Sequence, residues 1–125
     1  MTVVYHELLA DSYLLILAPS RTNEHEADLA DSLNCAKRSG KAAVWVDCGM
    51  LHSLSDEAAR LLWGAHHQLE EQHAQLVLVH VPDRVRKDLL KCELGPAPCM
   101  VPTLLDAARQ TARTPKDYID FALSH

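Results

Sequence analysis

The chain has 125 residues, of which 48% are hydrophobic and 23% charged, a composition typical of one globular domain spanning residues 1–125. Its 17 acidic and 12 basic residues give a formal net charge of -5, which argues against nucleic-acid binding, because neutralising phosphates requires clustered Lys and Arg. The sequence has no run near the roughly 20 apolar residues that span a bilayer, and no signal-peptide pattern. We therefore expect a cytoplasmic protein without direct membrane insertion.

The N-terminal part of the sequence predicts a β-hairpin followed by a helix. Residues 3–9 and 13–18 are apolar or alternating and are separated by turn residues. Pro19 ends the second strand, because proline cannot donate a hydrogen bond to a neighbouring strand. A capping-box pattern begins at Asn23, and apolar residues then recur at helical spacing until Gly40.

The middle of the sequence alternates strands and helices. Residues 42–46 form a continuous apolar run, which is typical of a strand buried on both faces, and residues 76–81 form a second run of this kind. Between them, a loop at 50–54 leads to Ser55, a natural N-cap for a helix with one apolar face.

The C-terminal part predicts a short helix at 83–90, a short extended segment at 99–101 and a helix capped by Thr103 and Asp106. A helical tail is expected over residues 111–125. This order of elements predicts an α/β fold with a mixed, mostly parallel sheet of about five strands covered by about four helices.

Eight histidines raise the question of a metal site. His66 and His67 are adjacent, so on a helix their side chains point about 100° apart, and no two histidines on one helix have the i, i+4 spacing of a zinc site. The chain also lacks a glycine-rich phosphate loop. We therefore expect no metal and no cofactor. The basic residues of the helix at 83–90 alternate with acids, which indicates an ion-paired solvent face.

The four cysteines have no paired spacing and are expected to be reduced thiols. Cys48 lies between a predicted strand and a predicted helix, where a thiolate can be stabilised. A small enzyme that uses Cys48 or a histidine is therefore an alternative, and a packed thiol at the end of a strand is the competing interpretation. A small-ligand sensor is a further class, for which the sequence offers no anchor.

Several segments follow one another in a familiar order. A strand ending in Asp47 leads through the loop 51–54 to the turn 55–58, which opens a helix. Downstream, residues 75–86 give a strand with a short helix, and residues 101–107 give a closing strand with a helix start. This ordered set resembles the STAS domain, a family of bacterial anti-sigma factor antagonists and related transporter modules. The resemblance implies a STAS-like fold.

The resemblance covers about residues 3–110 and implies a non-catalytic protein that binds another protein. Antagonists of the family carry a phosphorylatable Ser at the second position of the turn, where this chain has Asp56, and Ser55 stands at the usually acidic first position. Asp56 is either a permanent partial mimic of phosphoserine at a helix N-terminus or simply a favourable first-turn residue. Ser55 is either the N-cap or, in a shifted register, the phosphorylation candidate.

The expected partner-binding surface consists of the loop and the exposed face of the helix that follows it. The residues assigned to it are Ser53, Ser55, Asp56, Glu57, Arg60 and His67, with Trp63 and Gly64 as further candidates. A core or boundary position beside the stripe of Leu61 and Leu62 is the competing interpretation of Trp63. The resemblance implies a kinase-type anti-sigma factor as the partner, in partner switching that regulates transcription. The alternative partner is the ATPase of a lipid-transport ABC system, which a STAS subunit supports. A homodimer is compatible with either partner.

Overall fold

The computed structural model describes residues 2–19, 27–92 and 95–111. Within these ranges one sheet is built from five strands in chain order: β1 (Thr2–Leu8), β2 (Ser12–Ala18), β3 (Ala43–Asp47), β4 (Gln75–Val79) and β5 (Cys99–Val101). The same ranges contain four helices: α1 (Ala27–Arg38), α2 (Asp56–Glu71), α3 (Asp83–Leu90) and α4 (Leu104–Thr111). β1 is antiparallel to β2, and each following pair of neighbours is parallel.

The predicted fold class is confirmed: the sheet is mixed, mostly parallel and accompanied by helices. The predicted helix start at Asn23 lies outside the described residues, and so does the predicted C-terminal tail beyond Thr111. A single domain over the whole chain remains a prediction. In the part of the chain that the structure describes, no helix combines the length and the apolar character needed to cross a membrane.

The hairpin at the start of the sheet contains one irregularity. Its turn is closed by a 2.8 Å hydrogen bond from the Leu9 amide to the Ser12 carbonyl. Along β1, the pairing with β2 shifts register between Val3 and Tyr5, which marks a β-bulge. β1 is therefore an interrupted strand at one edge of the sheet.

The two faces of the sheet contact different helices. Val44 and Val46 of β3 face the larger core, which α1, α2 and α3 complete. Ala43 and Trp45 of the same strand face a smaller core that contains α4. Because successive side chains of a strand point to opposite faces, a strand covered on both sides is apolar at every position. This arrangement explains the continuous apolar run at 42–46.

The side chains that α2 places in the core occupy one broad stripe along the helix: Ala58, Ala59, Leu62, Trp63, Ala65 and Leu69. The indole Nε1 of Trp63 also donates a 2.9 Å hydrogen bond to the Leu89 carbonyl of α3. The stripe buries apolar surface, and the hydrogen bond satisfies a buried donor. Together they fix α2 between the sheet and α3.

We predict that Leu62→Ala lowers the free energy of unfolding by about 2–5 kcal/mol, because it removes a fully buried side chain and leaves a cavity. Leu105→Ala, which changes an exposed leucine on α4, is the control and changes it by less than about 1 kcal/mol. Urea denaturation followed by circular dichroism measures both values. Equal losses in the two variants would contradict the placement of α2 in the core.

Candidate functional site

The loop between β3 and α2 crosses the edge of the sheet at which the parallel strands end. Leu51 and Leu54 of this loop are buried in the larger core. His52 and Ser53, which lie between them, are exposed. The loop is therefore anchored by its apolar side chains and presents its polar ones to solvent.

A carboxylate of α3 holds the same loop by a hydrogen bond. Asp88 Oδ2 accepts from the Leu54 amide at 3.0 Å, and Asp88 Oδ1 lies 3.1 Å from Arg84 Nε and 3.7 Å from Lys91 Nζ. The hydrogen bond from Leu54 is the largest cause that lowers the pKa of Asp88, followed by Arg84 and Lys91, and partial burial opposes them. The native state thus favours the charged carboxylate, which fixes the end of the loop.

The start of α2 has the cap predicted from the sequence. Ser55 has an extended backbone, and its Oγ accepts a 3.1 Å hydrogen bond from the Ala58 amide. The N-cap prediction for Ser55 is confirmed. Asp56 and Glu57 occupy the first turn and are exposed, so that two acidic residues lie at the positive end of the helix dipole. We call residues 53–57 the acidic turn.

The residues assigned to the partner-binding surface fall into two groups along α2. Arg60 is exposed one helical turn after Asp56 and lies beside the acidic turn. His67 lies eleven residues after Asp56, about 16 Å along the helix axis at 1.5 Å per residue. The core interpretation of Trp63 is the one that the structure supports, because its side chain is only 1% exposed and packs in the core. Gly64 is half-buried.

A carboxylate–imidazole pair that was not predicted from the sequence lies at the same edge of the sheet. Asp47 ends β3 and His80 follows β4, and His80 Nδ1 lies 3.1 Å from Asp47 Oδ2. Asp47 Oδ1 also accepts a 2.9 Å hydrogen bond from the Gly49 amide. A Cβ at Gly49 would approach Asp47 Oδ1 to 3.1 Å and His80 Cβ to 3.2 Å, so the turn into the loop is tightly packed. The available signal was the position of both residues at the ends of adjacent strands.

Cys48 does not have the environment of a reactive cysteine. Its side chain is buried, and its Sγ lies 3.8 Å from the Val46 carbonyl oxygen. Burial, together with the charge of Asp47, raises the pKa of the Cys48 thiol to about 12. The thiolate is the nucleophilic form, so this thiol is inert at neutral pH. The enzyme alternative based on Cys48 therefore loses its chemical basis.

The second half of α2 contains side chains that could hold a metal ion. His66, His67 and Glu70 each offer one ligand atom, and these atoms lie within 4.8 Å of one another. The spacing of the histidines alone did not predict this cluster, because its third member, Glu70 at i+4 from His66, is a carboxylate.

The sequence matches no protein-family model and no curated protein. Its fold is nevertheless similar to solved structures. TM1081 from Thermotoga maritima gives a TM-score of 0.75 at 12% identity and covers 87% of this chain and 94% of its own. The anti-sigma factor antagonist SpoIIAA in its unphosphorylated form gives a TM-score of 0.66 at 14% identity. The match covers 87% of this chain and 96% of SpoIIAA. A Moorella thermoacetica RsbS variant with glutamate in place of a serine gives a TM-score of 0.68 at 12% identity. The match covers 94% of this chain and 97% of the RsbS chain. The chain has the STAS fold.

We predict that the stability difference between the natural protein and Asp88→Asn depends on pH. Because the pKa of Asp88 lies below its ordinary value of 3.8, the charged group stabilises the native state above that value, and this contribution is lost as pH falls through the lower folded-state pKa. Urea denaturation across the acid range is expected to show a gap that closes with acidification. Asp31→Asn, at an exposed position on α1, is the control and shows no such gap. A gap that does not change with pH would contradict this role of Asp88.

We predict that a thiol reagent at neutral pH modifies Cys35 in the folded protein and leaves Cys48 unmodified until the chain is denatured. Cys35 is exposed, whereas Cys48 is both buried and protonated. Mass spectrometry of the labelled peptides distinguishes the two sites. Rapid labelling of Cys48 in the folded protein would restore the enzyme alternative.

Proposed function

We propose that this protein is a non-catalytic regulator that acts by binding another protein, in the manner of an anti-sigma factor antagonist. The observation that carries the proposal is the acidic turn at the start of α2, whose polar side chains are exposed. It is anchored by the buried side chains of Leu51 and Leu54 and by the hydrogen bond from the Leu54 amide to Asp88. The similarity to the anti-sigma factor antagonist SpoIIAA also supports a role in binding another protein. Because the loop is already ordered, binding costs less conformational entropy than it would for a mobile loop.

The proposed contact surface combines charge with a small apolar element. Its polar members are Ser53, Ser55, Asp56, Glu57 and Arg60, all exposed. Met50, at the start of the same loop, is 54% exposed and supplies an apolar side chain of adaptable shape. Arg60 is the polar anchor, since arginine is enriched among the residues that dominate binding energy in interfaces.

We assign to Asp56 the role of a fixed negative charge in the place of a phosphorylated serine. The Ser55 Oγ is engaged in the N-cap, and Asp56 is exposed beside it at the positive end of α2. One carboxylate supplies less charge than the roughly -1.5 to -2 of a phosphate, so the mimicry is partial. The RsbS variant is an example of a similar fold in which glutamate replaces a serine. Modification of Ser55 would require the loss of its cap.

A kinase-type anti-sigma factor in the cytoplasm is the proposed partner. The ATPase of a lipid-transport ABC system is the second candidate, favoured by the aspartate at the acceptor position and by the engagement of Ser55 as a cap. Affinity capture of the tagged full chain from its native host, with mass spectrometry of the retained proteins, distinguishes them. Recovery of an ABC ATPase instead of a kinase-type factor would replace the first assignment by the second. Recovery of neither would contradict both.

We predict that Asp56→Ser weakens the affinity for the captured partner by about tenfold, because it removes a charge that the partner contacts at the helix N-terminus. Glu71→Gln, which neutralises an exposed acid at the opposite end of α2, is the matched control and leaves the affinity unchanged. Isothermal titration calorimetry with the purified partner measures both variants. Equal effects of the two substitutions would contradict a contact at the acidic turn. Tighter binding of Asp56→Ser would contradict a favourable role for the charge.

A further inference from the structure

The second half of α2 carries a cluster of metal-ligating side chains that is separate from the acidic turn. Since an α-helix advances about 100° per residue, Glu70 lies about 40° from His66 and about 60° from His67 around the axis, between the two imidazoles. The carboxylate of Glu70 therefore lies between the directions in which the two adjacent histidines point. One ligand atom from each of the three residues lies within 4.8 Å of the other two.

His66 is a buried imidazole whose Nε2 faces the carboxylate of Glu70. The side chain is only 7% exposed, and its Nε2 lies 3.1 Å from the Pro96 carbonyl oxygen and 3.3 Å from Glu70 Oε1. Its buried Nδ1 has no hydrogen-bond partner among the described residues. If Nε2 carries the proton of the neutral ring, the lone pair of Nδ1 has no donor; if Nδ1 carries it, the lone pair of Nε2 faces two oxygens. A metal ion bound at Nε2 would remove this repulsion between the lone pair and the two oxygens, so Nε2 is the candidate ligand atom and the unpartnered Nδ1 takes no part.

The neighbouring groups limit the orientation of the His67 imidazole. His67 stacks on Trp63 with ring centroids 6.0 Å apart and an interplanar angle of 27°. Gly95 lies near the same ring: a Cβ added there would make an ordinary van der Waals contact of 3.4 Å with His67 Cε1. Gly95 also has a φ of +115°, a conformation that favours glycine. The stacking on Trp63 therefore limits the orientations of the His67 ring without enclosing it, since His67 is only half-buried.

An open cavity of about 590 Å³ adjoins this cluster, and His66 and Glu70 are among its lining residues. Its polar rim also includes His73 and Gln75. A site with three protein ligands keeps a coordination position for water or another small ligand, and this cavity supplies the space for it.

We propose that His66, His67 and Glu70 form a binding site for one divalent transition-metal ion of the Zn²⁺ class. Two imidazole nitrogens and one carboxylate oxygen are a donor set that zinc takes in sites with an open position. Ligands at about 2.0–2.1 Å from a tetrahedral ion lie about 3.3 Å apart, which is the separation of His66 Nε2 and Glu70 Oε1. A rotation of the His67 side chain completes the set. His67, which the sequence assigned to the partner-binding surface, is not among the contacts proposed at the acidic turn, so the metal site does not depend on that proposal.

The test is a calorimetric titration of the full chain with Zn²⁺ near neutral pH. We expect one ion per chain, and at least about tenfold weaker binding in both Glu70→Gln and His67→Ala. Glu70 is exposed and His67 is half-buried, so these substitutions leave the core intact. His52→Ala, which removes an exposed histidine in the loop before α2, is the matched control and leaves the affinity unchanged.

Titration with Co²⁺ gives a second readout, because the visible spectrum of cobalt reports its coordination. The natural chain and His52→Ala are expected to give the same intense tetrahedral absorption, and Glu70→Gln is expected to lose it. The proposal is overturned if the natural chain binds neither ion. It is also overturned if Glu70→Gln and His67→Ala bind as tightly as the natural chain, or if His52→Ala weakens binding as much as they do, because the ion then lies at other histidines.

Discussion

The packing of the apolar stripe of α2 against the sheet and α3 is the constraint on which both candidate sites depend. Leu62 and Trp63 lie near the middle of this stripe and are buried, and the indole of Trp63 is also bound to the Leu89 carbonyl. Because the middle of α2 is fixed, the positions of the side chains at both of its ends are fixed relative to the sheet. One end carries the acidic turn, and the second half carries the imidazoles beside the cavity. The protein thus uses one buried surface to position two chemically different sets of exposed groups.

The acidic turn also depends on contacts that come from distant parts of the chain. Asp88 of α3 holds the Leu54 amide, while Asp47 and His80 hold the turn into the loop at Gly49. The resulting surface is rigid without any regular structure in the loop itself. Such an arrangement suits recognition of a partner, because the geometry of the polar groups exists before the partner arrives.

Local patterns in the sequence predicted what depends on local physics. The continuous apolar run at 42–46 predicted a strand covered on both sides. The Ser55 cap was predictable because its Oγ accepts a hydrogen bond from an amide only three residues further along the chain. The contacts that the sequence did not reveal join residues far apart: Leu54 to Asp88 is a separation of 34 residues, and Asp47 to His80 one of 33. The core position of Trp63 could be predicted from its place beside Leu61 and Leu62, but its hydrogen bond to the Leu89 carbonyl of α3 joins residues 26 apart and had no local signal.

The bulge in β1 has a consequence for self-association. Exposed edge strands offer free amides and carbonyls to other chains, and a regular edge favours the uncontrolled growth of intermolecular sheets. Here the register shift between Val3 and Tyr5 interrupts one edge, and the opposite edge, β5, has only three residues. Within residues 2–19, 27–92 and 95–111, neither edge therefore provides a long, regular template for continuing the sheet into another molecule. Both edges disfavour the growth of an intermolecular sheet.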